Sequence, residues 1–595
     1  MFASQHYVIS LGLLLTVAVT SGEILDRGWW NHTVFYQVYP RSFMDANNDG
    51  VGDLQGITDK LEHFVNSGVG AIWLSPIYKS PMVDFGYDIA DFKDIDQIFG
   101  TLADFEKLVA RAKQLGLKVI LDFAPNYTSD QHFWFQESVK RNGKYADYYI
   151  WVDGKNDTPP SNWLSVFSNS AWSYNTNRQQ WYLHQFHSKQ PDLNCSNPNV
   201  QEEMREILIY WLRKGVDGFR MDAMPYLFET NYTKDELRSN KSDATENDHE
   251  YLIHTLTKDL PETYELVLSW RKILDEYAHQ YNTSEKVMMT EAYATLDNTI
   301  KYYNYGSHIP FNFDFIMNVN KTSTASEFKA VIDNWTKAMP EGSVANWVMG
   351  NHDRARTASR FPGRADQMTM LAMILPGVAV TYYGEEIGMV DKSDISWEDT
   401  QDPQGCNAGR DKYAARSRDP ARTPFQWNNK QNAGFSTASK TWIPVHANYI
   451  YVNVEAQYDT IDSHYNVYRA LTTLRNTSNA LKFGSLTTDI ISDTVLHVLR
   501  KTNGEAVSLL INFSDEDKKE VTLTDTLPGN KAAVIVTASV GSGITKEQAV
   551  ELNKFNVPAK ASVVILIHSG ASREYVASFQ IILFSVVFLI LTLYK

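Results

Sequence analysis

The sequence predicts an α/β protein: a (β/α)8 (TIM) barrel with a loop-rich subdomain inserted after the third strand and an all-β sandwich domain at the C-terminal end. Three observations support this fold class. Apolar runs typical of buried strands alternate with helical segments up to about residue 478. The alternation pauses once, over residues 124–190. Beyond residue 479, short strands follow one another without a helix of comparable length between them.

The barrel strands are expected at eight apolar runs, and helices are expected between them. A helix is predicted over residues 102–115, because its apolar residues recur with the helical period and Gly116 follows it. Further helices are predicted at about 199–214 and 364–375. The predicted strands are residues 34–40, 71–76, 117–123, 216–221, 286–293, 310–315, 345–351 and 378–385.

A chain of 595 residues is too long for one compact core, so several domains are expected. At the N-terminal end, an apolar core at residues 8–19 followed by small residues predicts a secretory signal peptide. The predicted organisation is a signal peptide at 1–22, a barrel at 23–123 and 191–478, an inserted subdomain at 124–190, a β domain at 479–568 and a C-terminal signal at 569–595.

The C-terminal signal is of the type that directs GPI attachment. An apolar tail at residues 579–594 follows a short polar spacer and small residues, of which Ser569 and Gly570 are the attachment candidates. The alternative is a C-terminal transmembrane anchor, but the tail is short and lacks a basic flank. Together with the signal peptide, this pattern predicts a protein held on the extracellular face of the plasma membrane through a lipid anchor.

Charge and cysteine content narrow the class of protein further. The formal net charge is −15 and no long basic run is present, so nucleic acid is not expected as a ligand. The two cysteines, Cys195 and Cys406, either pair in an oxidising compartment or remain free thiols. Asn-x-Ser/Thr sequons support passage through the secretory pathway. The glycosylation candidates are Asn31, Asn231, Asn282, Asn320 and Asn512.

Four acids stand where predicted strands end, and in such a barrel these ends share one mouth. Crowded carboxylates repel each other, which raises at least one pKa and leaves a proton for general acid catalysis. Asp222 is expected to stay ionised, because strand periodicity places Arg220 on the same face. A nucleophilic carboxylate about 5–5.5 Å from a protonated acid is the equipment of a retaining glycosidase. The alternative for each acid is a structural ion pair. The four acids are Asp122, Asp222, Glu291 and Asp353.

Five short motifs strengthen the glycosidase interpretation. They are Asp-Phe-Ala-Pro-Asn (122–126), Gln-Pro-Asp-Leu-Asn (190–194), Gly-Phe-Arg-Met-Asp (218–222), Met-Thr-Glu-Ala (289–292) and Gly-Asn-His-Asp (350–353). With these motifs, the sequence resembles the α-amylase superfamily, glycoside hydrolase family 13, over roughly residues 26–568. Within the α-glucosidase and oligo-1,6-glucosidase branch it resembles insect, and especially mosquito midgut, maltases.

The resemblance implies a role for the acids at the strand ends. Asp222 is the expected nucleophile, and Glu291 is the expected general acid/base. Asp353 is expected to bind sugar hydroxyls and to stabilise an oxocarbenium-like transition state. Arg220 is expected to orient Asp222, and His352 to bond hydroxyls of the sugar in the −1 subsite.

The resemblance also implies how the terminal glucose is held. Asp88, in the loop after the second strand, is expected to hold the non-reducing sugar, which blocks longer extension and suits exo-action. Arg418 is expected to face the same sugar, with a purely structural arginine as the alternative. The expected substrate-binding residues are Tyr87, Asp88, Tyr127, Phe167, Arg220, His352 and Arg418.

Two positions near the nucleophile bear on specificity and activity. In this branch a small residue after the nucleophile accompanies α-1,4 preference, so Ala223 favours maltose-type bonds. The family usually has a histidine where this chain has Tyr127. A phenol can still donate or accept a hydrogen bond, but it is longer and does not become cationic. Altered activity or specificity is therefore expected from this change.

A candidate calcium loop covers residues 45–53, where oxygen-bearing side chains stand at alternate positions. Ca2+ takes six to eight oxygen ligands. The loop is not an EF-hand, because position twelve is Gly56 rather than a glutamate. The alternative is an Asx-rich turn without a metal; no organic cofactor is expected. The resemblance implies as ligands Asp45, Asn47, Asp49, the carbonyl of Val51, and Asp53.

The sequence therefore predicts a retaining exo-α-glucosidase that hydrolyses maltose, sucrose and short malto-oligosaccharides. The alternative is a catalytically weak relative that serves as a cell-surface binding protein. The resemblance to mosquito maltases leaves open a homodimer and a bacterial binary toxin as partners.

Overall fold

A computed structural model describes residues 26–155, 157–523 and 531–569. Its centre is a barrel of eight parallel strands, each beginning within two residues of a predicted run, so the predicted fold class is confirmed. The strands are β1 (Val34–Val38), β2 (Ala71–Leu74), β3 (Lys118–Phe123), β4 (Gly218–Met221), β5 (Val287–Thr290), β6 (Ile309–Pro310), β7 (Asn346–Val348) and β8 (Val378–Tyr382).

Neighbouring strands pair in the order β6-β5-β4-β3-β2-β1-β8-β7, and each of these pairs is parallel. The side chain of Asn346 closes the remaining gap between β6 and β7. Its Nδ2 donates to the Pro310 carbonyl at 2.6 Å, and its Oδ1 accepts the Asn312 N–H at 2.8 Å. Between β6 and β7, the buried side-chain amide of Asn346 thus makes the hydrogen bonds that backbone groups make between the other strands.

Helices surround the barrel, and the three predicted ones are confirmed to within one residue at each end. Their starts follow local chemistry: Thr101 and Asp104 form a capping box, and Asn197 caps a helix that has Pro198 in its first turn. The longer helices are Leu102–Gln114, Pro198–Arg213, Pro261–Tyr281, Leu296–Asn304, Ala325–Ala338, Ala365–Ile374 and His464–Thr477. Shorter helices are Pro40–Phe43, Leu54–Asp59, Leu61–Asn66, Phe133–Val139, Asp314–Met317, Thr357–Arg360, Pro403–Ala408, Tyr413–Arg416, Val454–Tyr458 and Asn479–Phe483.

The sixth predicted strand, residues 310–315, is wrong beyond its first residue. The strand ends at Pro310, and a short helix begins at Asp314. The Asn312 side chain accepts the Asp314 N–H at 3.0 Å, which turns the chain before the apolar run is finished. The apolar residues of that run are buried in either conformation, so hydrophobicity did not distinguish strand from turn.

Two segments that leave the barrel, here called excursions, lie beside its mouth. The inserted segment at 124–190 contains a small antiparallel sheet of Trp151–Val152, Gln180–Leu183 and Trp172–Asn175. A second excursion after β4, which the sequence did not predict, holds a hairpin of Leu237–Arg238 and Leu252–Ile253. The backbone of the two excursions meets where the Asn169 N–H donates to the Asn247 carbonyl at 2.8 Å.

The C-terminal domain is antiparallel, as predicted. Its main sheet has five strands in the order β9-β10-β11-β15-β13, and the second layer expected of a sandwich is represented by the pair β12 and β14. The strands are β9 (Ser485–Ser492), β10 (Val495–Lys501), β11 (Glu505–Asn512), β12 (Lys519–Val521), β13 (Lys531–Ala538), β14 (Phe555–Val557) and β15 (Ser562–Ser569).

The structure decides between the alternatives for the two cysteines and corrects one glycosylation candidate. Both thiols are free, which is the second of the two alternatives: Cys195 is buried beside the Pro125 carbonyl, whereas Cys406 is exposed on a short helix. Asn512 is fully buried, and its side-chain amide donates to the carbonyls of Asp517, Val557 and Pro558. A glycan on this nitrogen is incompatible with the folded domain.

The predicted terminal signals lie largely outside the described residues. The signal peptide at 1–22 and residues 570–595, including Gly570, are not described. Ser569 is the last described residue, at the end of β15, and is exposed. Among the described residues, no helix has the length and apolarity needed to cross a membrane.

Candidate active site

The two expected catalytic acids directly follow neighbouring strands. Asp222 follows β4, and Glu291 follows β5. Between β4 and the next turn, Ala223 adopts the left-handed conformation with φ of 50°. In this conformation its N–H donates to Oε2 of Glu291 at 2.7 Å. The residue after one acid therefore holds the other acid, which fixes the two carboxyl groups relative to each other.

Arg220 lies at the centre of this group of acids. Its Nη1 donates to Asp122 Oδ1 at 3.0 Å and to Asp222 Oδ1, and its Nη2 lies 3.7 Å from Glu291 Oε2. The guanidinium also lies 5.1 Å from the centre of the Trp73 ring. Because Arg220 is 2% exposed, its charge acts on all three carboxylates with little screening. Its predicted orienting contact with Asp222 is present in the structure.

Glu291 is the group best suited to carry a proton. Burial raises its pKa, Arg220 opposes this, and the negative charges of Asp222 and Asp353 raise it further, to about 8. A neutral Glu291 is therefore available near neutral pH as a proton donor. Burial also raises the pKa of Asp222, but hydrogen bonds from Arg220 and Tyr127 oppose that rise and favour the carboxylate.

Asp353 lies in the opposite electrostatic situation. Its Oδ1 accepts hydrogen bonds from Arg418 at 3.2 Å and Arg422 at 3.1 Å. Burial alone would raise its pKa, but His352, Arg418 and Arg422 together hold the pKa well below its usual range. Asp353 is therefore a permanent negative charge beside the acids that follow β4 and β5.

His352 is held by protein partners on both ring nitrogens. The Gln37 amide contacts Nδ1 at 2.8 Å, and the Tyr87 hydroxyl contacts Nε2 at 2.8 Å. Tyr87 also donates to Asp122 Oδ2 at 3.2 Å. Burial lowers the pKa of His352 to about 3, so the imidazole is neutral near neutral pH. The predicted ligands Tyr87 and His352 thus form one network with Asp122 at the base of the site.

The structure corrects the expected sugar-holding carboxylate. Asp88 is fully buried, and its oxygens accept from the Ser80 hydroxyl and from the N–H groups of Val83 and Asp84. It braces its own loop and does not face the mouth. Asp84 faces Arg418 instead, with Oδ1 2.8 Å from Nη2. The carboxylate of this loop that contacts Arg418 is therefore Asp84, and not the expected Asp88.

Arg418 is in the predicted place and has more partners than expected. Besides Asp84 and Asp353, it contacts Asp402 through Nε at 3.0 Å, and its guanidinium lies 5.1 Å from the centre of the Phe167 ring. Phe167, predicted as a substrate contact, is therefore part of this arginine's surroundings. Arg422 was missed, although it lies in the same short stretch; its Nε also donates to the His352 carbonyl at 2.8 Å.

Tyr127 contacts the nucleophile. Its hydroxyl donates to Asp222 Oδ2 at 3.0 Å, and its ring packs against Phe186 at 5.2 Å between centroids. The side chain is 2% exposed. The residue expected as a sugar ligand at this position is thus a hydrogen-bond donor to Asp222, the expected nucleophile.

The candidate calcium loop is tightly folded on its own backbone. Asp45 accepts the N–H groups of Asn48 and Gly50, and Asp53 Oδ2 accepts those of Ala46 and Asn47. The donor set consists of carboxylate, carboxamide and carbonyl oxygens, which is the chemistry Ca2+ prefers. Within the described residues, no group of three or more His, Cys, Asp or Glu side chains is arranged to hold a metal ion.

A barrel with acids after β4, β5 and β7, of which Glu291 has a raised pKa and Asp353 a lowered pKa, is the arrangement expected of enzymes that cleave glycosidic bonds. The model of the α-amylase catalytic domain matches residues 37–484 of the chain. The chain belongs to this family, the α-amylase family of glycoside hydrolases.

Within this family, the chain is similar to several named proteins. It is 49% identical to maltase 1 of Drosophila virilis, over 86% of this chain and 84% of that protein. It is also 49% identical to an α-glucosidase of Apis mellifera, over 85% of this chain and 89% of that protein. Among solved structures, the α-glucosyl transfer enzyme XgtA is similar, with a TM-score of 0.80 and 34% identity, covering 90% of this chain and 99% of that one.

Proposed function

We propose that the protein is a retaining exo-α-glucosidase that releases terminal glucose from maltose, sucrose and short malto-oligosaccharides. The observation that carries this proposal is the bond from the Ala223 N–H to Glu291 at 2.7 Å, which fixes an acid of raised pKa next to Asp222. The similarity to insect maltases and α-glucosidases supports the same substrate class.

The proposed reaction has two steps. In the first, an oxygen of Asp222 attacks C1 of the terminal glucose, the glycosidic C1–O bond breaks, and the proton of Glu291 passes to the leaving oxygen. In the second, the Glu291 carboxylate takes a proton from water while the water oxygen attacks C1. The C1–Asp222 bond breaks, and its electron pair returns to the carboxylate. Two inversions leave the α-configuration unchanged.

Exo-action is proposed to depend on Asp84 and Arg418. These two buried groups of opposite charge lie 2.8 Å apart, and both can bond hydroxyls of a terminal sugar. A longer chain on the non-reducing side would leave their charges without hydroxyl partners. Ala223 leaves room beside the next sugar, which is the basis for proposing α-1,4 preference.

The test is release of glucose from maltose and from p-nitrophenyl α-glucoside. The wild type is expected to be active, whereas Asp222→Asn and Glu291→Gln are expected to lose at least about 10³-fold in kcat. Glu202→Gln, on the exposed side of the helix Pro198–Arg213, is the control and should retain full activity. A wild type as inert as the two variants would contradict the proposal and favour the alternative, a cell-surface binding protein.

We also propose that the loop at 45–53 holds Ca2+ through Asp45, Asn47, Asp49, Val51 and Asp53. When bound, the ion would supply positive charge that holds these oxygens together. The Asp45 side chain accepts from the Ser436 hydroxyl at 2.5 Å, so a fixed loop also fixes the segment that follows β8. Removal of metal with a chelator is expected to lower the thermal unfolding midpoint, and added Ca2+ to restore it. If the midpoint did not change, or if Asp49→Ala showed the same change on removal of metal, the proposal of a Ca2+ site in this loop would be contradicted.

A lipid anchor on the extracellular face of the plasma membrane is proposed from the sequence of residues 569–595. Phosphatidylinositol-specific phospholipase is expected to release the protein from intact membranes. Retention after this treatment, with release by detergent only, would favour a transmembrane anchor. The described residues contribute no support for a homodimer or a toxin ligand, and neither belongs to the proposal.

A further inference from the structure

Tyr127 is fixed by its neighbours rather than free to adjust to a ligand. It follows β3 and forms a bridge with the backbone of Asp192. On one side, the Asn126 side chain donates to the Ala223 carbonyl at 2.8 Å, which ties this segment to the residue after the nucleophile. On the other side, the Thr128 N–H donates to the Pro191 carbonyl at 3.2 Å. The position of the phenol relative to Asp222 is therefore set by the backbone.

The two oxygens of Asp222 have different partners. Oδ1 accepts from Arg220, and Oδ2 accepts from the Tyr127 hydroxyl at 3.0 Å. A phenol that donates to a carboxylate makes a charge-assisted hydrogen bond, which is strongest when the carboxylate carries its full charge. Both oxygens are thus stabilised in the ionised state, one by a cation and one by a neutral donor.

We infer that Tyr127 is a positioning residue that stabilises Asp222 as the group leaving the glucosyl-enzyme, and so promotes the second step of the reaction more than the first. The inference rests on the proposed function. In the first step Asp222 loses charge as its bond to C1 forms, and the hydrogen bond weakens. In the second step the C1–O bond breaks, the charge returns to Asp222, and the hydrogen bond strengthens.

This asymmetry has a kinetic signature. The ratio kcat/KM reports events up to the formation of the glucosyl-enzyme, whereas kcat reports its breakdown when breakdown is slower. With p-nitrophenyl α-glucoside, whose leaving group departs readily, Tyr127→Phe is expected to lower kcat about tenfold, as for loss of one charge-assisted hydrogen bond. KM should fall with it, kcat/KM should stay within about threefold, and a burst of nitrophenol should precede the steady state.

The free enzyme supplies a second readout. Without the phenol, the ionised form of Asp222 is less stabilised, so the acid limb of kcat/KM should move to higher pH. The other groups that face Asp222 are unchanged in the variant. They are Arg220 on the same strand, Asp122 and Tyr87 on neighbouring elements, Glu291 after β5 and Asp353 after β7.

Tyr149→Phe is the matched control. Its hydroxyl is also buried and pairs with the Thr128 hydroxyl at 2.7 Å, one residue from Tyr127. Loss of this bond is expected to affect stability but not to separate kcat from kcat/KM. If Tyr149→Phe produced the same separation, the effect would belong to packing of the segment and the inference would fail.

Other outcomes separate this inference from the proposed function. A rise in KM with kcat/KM lowered in Tyr127→Phe would make Tyr127 a sugar ligand and overturn the inference, while the enzyme remained a glucosidase. An inactive wild type would overturn the proposed function itself. If the phenylalanine variant does not fold, Tyr127→3-fluorotyrosine preserves the shape and strengthens the donor. It is then expected to move the acid limb to lower pH, and an unmoved limb would overturn the inference.

Discussion

The two sides of the barrel mouth use the same residue types to opposite effect. On the first side, one arginine, Arg220, serves the acids that end β3, β4 and β5. On the second side, two arginines, Arg418 and Arg422, contact Asp353. The Asp353 side chain is 25% exposed and that of Glu291 is 7% exposed; the pKa of Glu291 is raised to about 8, whereas that of Asp353 lies well below its usual range.

The number of cations that contact a carboxylate therefore contributes, together with its exposure, to its protonation state. Arg220 is shared by three buried carboxylates, and one of them, Glu291, keeps a proton near neutral pH. Asp353 accepts from two arginines, of which Arg418 also contacts Asp84 and Asp402, and it stays ionised. The first side can therefore transfer a proton, and the second side can only supply fixed charge for a developing cation.

The largest effect is expected from removal of the arginine that contacts all three acids of the first side. Arg220→Ala leaves Asp122, Asp222 and Glu291 buried without this shared partner. Loss of one member of a buried ion pair costs about 3–5 kcal/mol, and kcat should fall at least about 10³-fold because Asp222 is neither oriented nor ionised. Chemical unfolding and kcat on p-nitrophenyl α-glucoside provide the measurements. The exposed Arg205→Ala is the control, and comparable losses there would undermine the argument.

A smaller and more selective effect is expected on the second side. Asp84→Asn removes the charge that faces Arg418, and kcat/KM for maltose should fall about 10²-fold. Asp88→Asn should instead reduce stability by about 1–3 kcal/mol, because its amide cannot accept all three donors, with kcat/KM nearly unchanged. The reverse pattern, with Asp88 affecting kinetics and Asp84 affecting stability only, would restore the expectation drawn from the sequence.

The contrast between these two aspartates shows how far the sequence alone could go. The ends of β4 and β5 are visible as the ends of apolar runs, so Asp222 and Glu291 follow from strand periodicity. The loop after β2 has no strand periodicity from which the direction of each side chain could be predicted. Phe85 and Gly86 both have positive φ, at 48° and 104°, so the chain turns between the two aspartates and directs them to different places. That turn depends on contacts that composition does not encode.

The sequence also could not predict which carboxylates would share an arginine. Crowding of acids predicted that one pKa would be raised, and that expectation is confirmed for Glu291. The resemblance already named Glu291 as the acid/base, but the lowered pKa of Asp353 depends on Arg422, 69 residues later in the chain. Tyr127 was recognised as a departure from its family, but its contact with Asp222 required the bridge to Asp192 and therefore the position of the inserted subdomain.

The smallest expected effect concerns stability as a function of pH on the first side. The pKa of Glu291 is raised from its ordinary value of 4.5 to about 8, so between these values the folded state binds a proton that the unfolded state releases. This group's contribution to stability therefore falls as pH rises toward 8 and stays reduced above it.

Glu291→Gln cannot ionise, and it should raise the unfolding midpoint relative to the wild type by about 1–2 °C more at pH 9 than at pH 5. Asp353→Asn, on the second side, should show no such gain, because Asp353 is ionised at both pH values. An equal response of the two variants would mean that the arginines do not separate the two sides, and that burial alone sets their protonation.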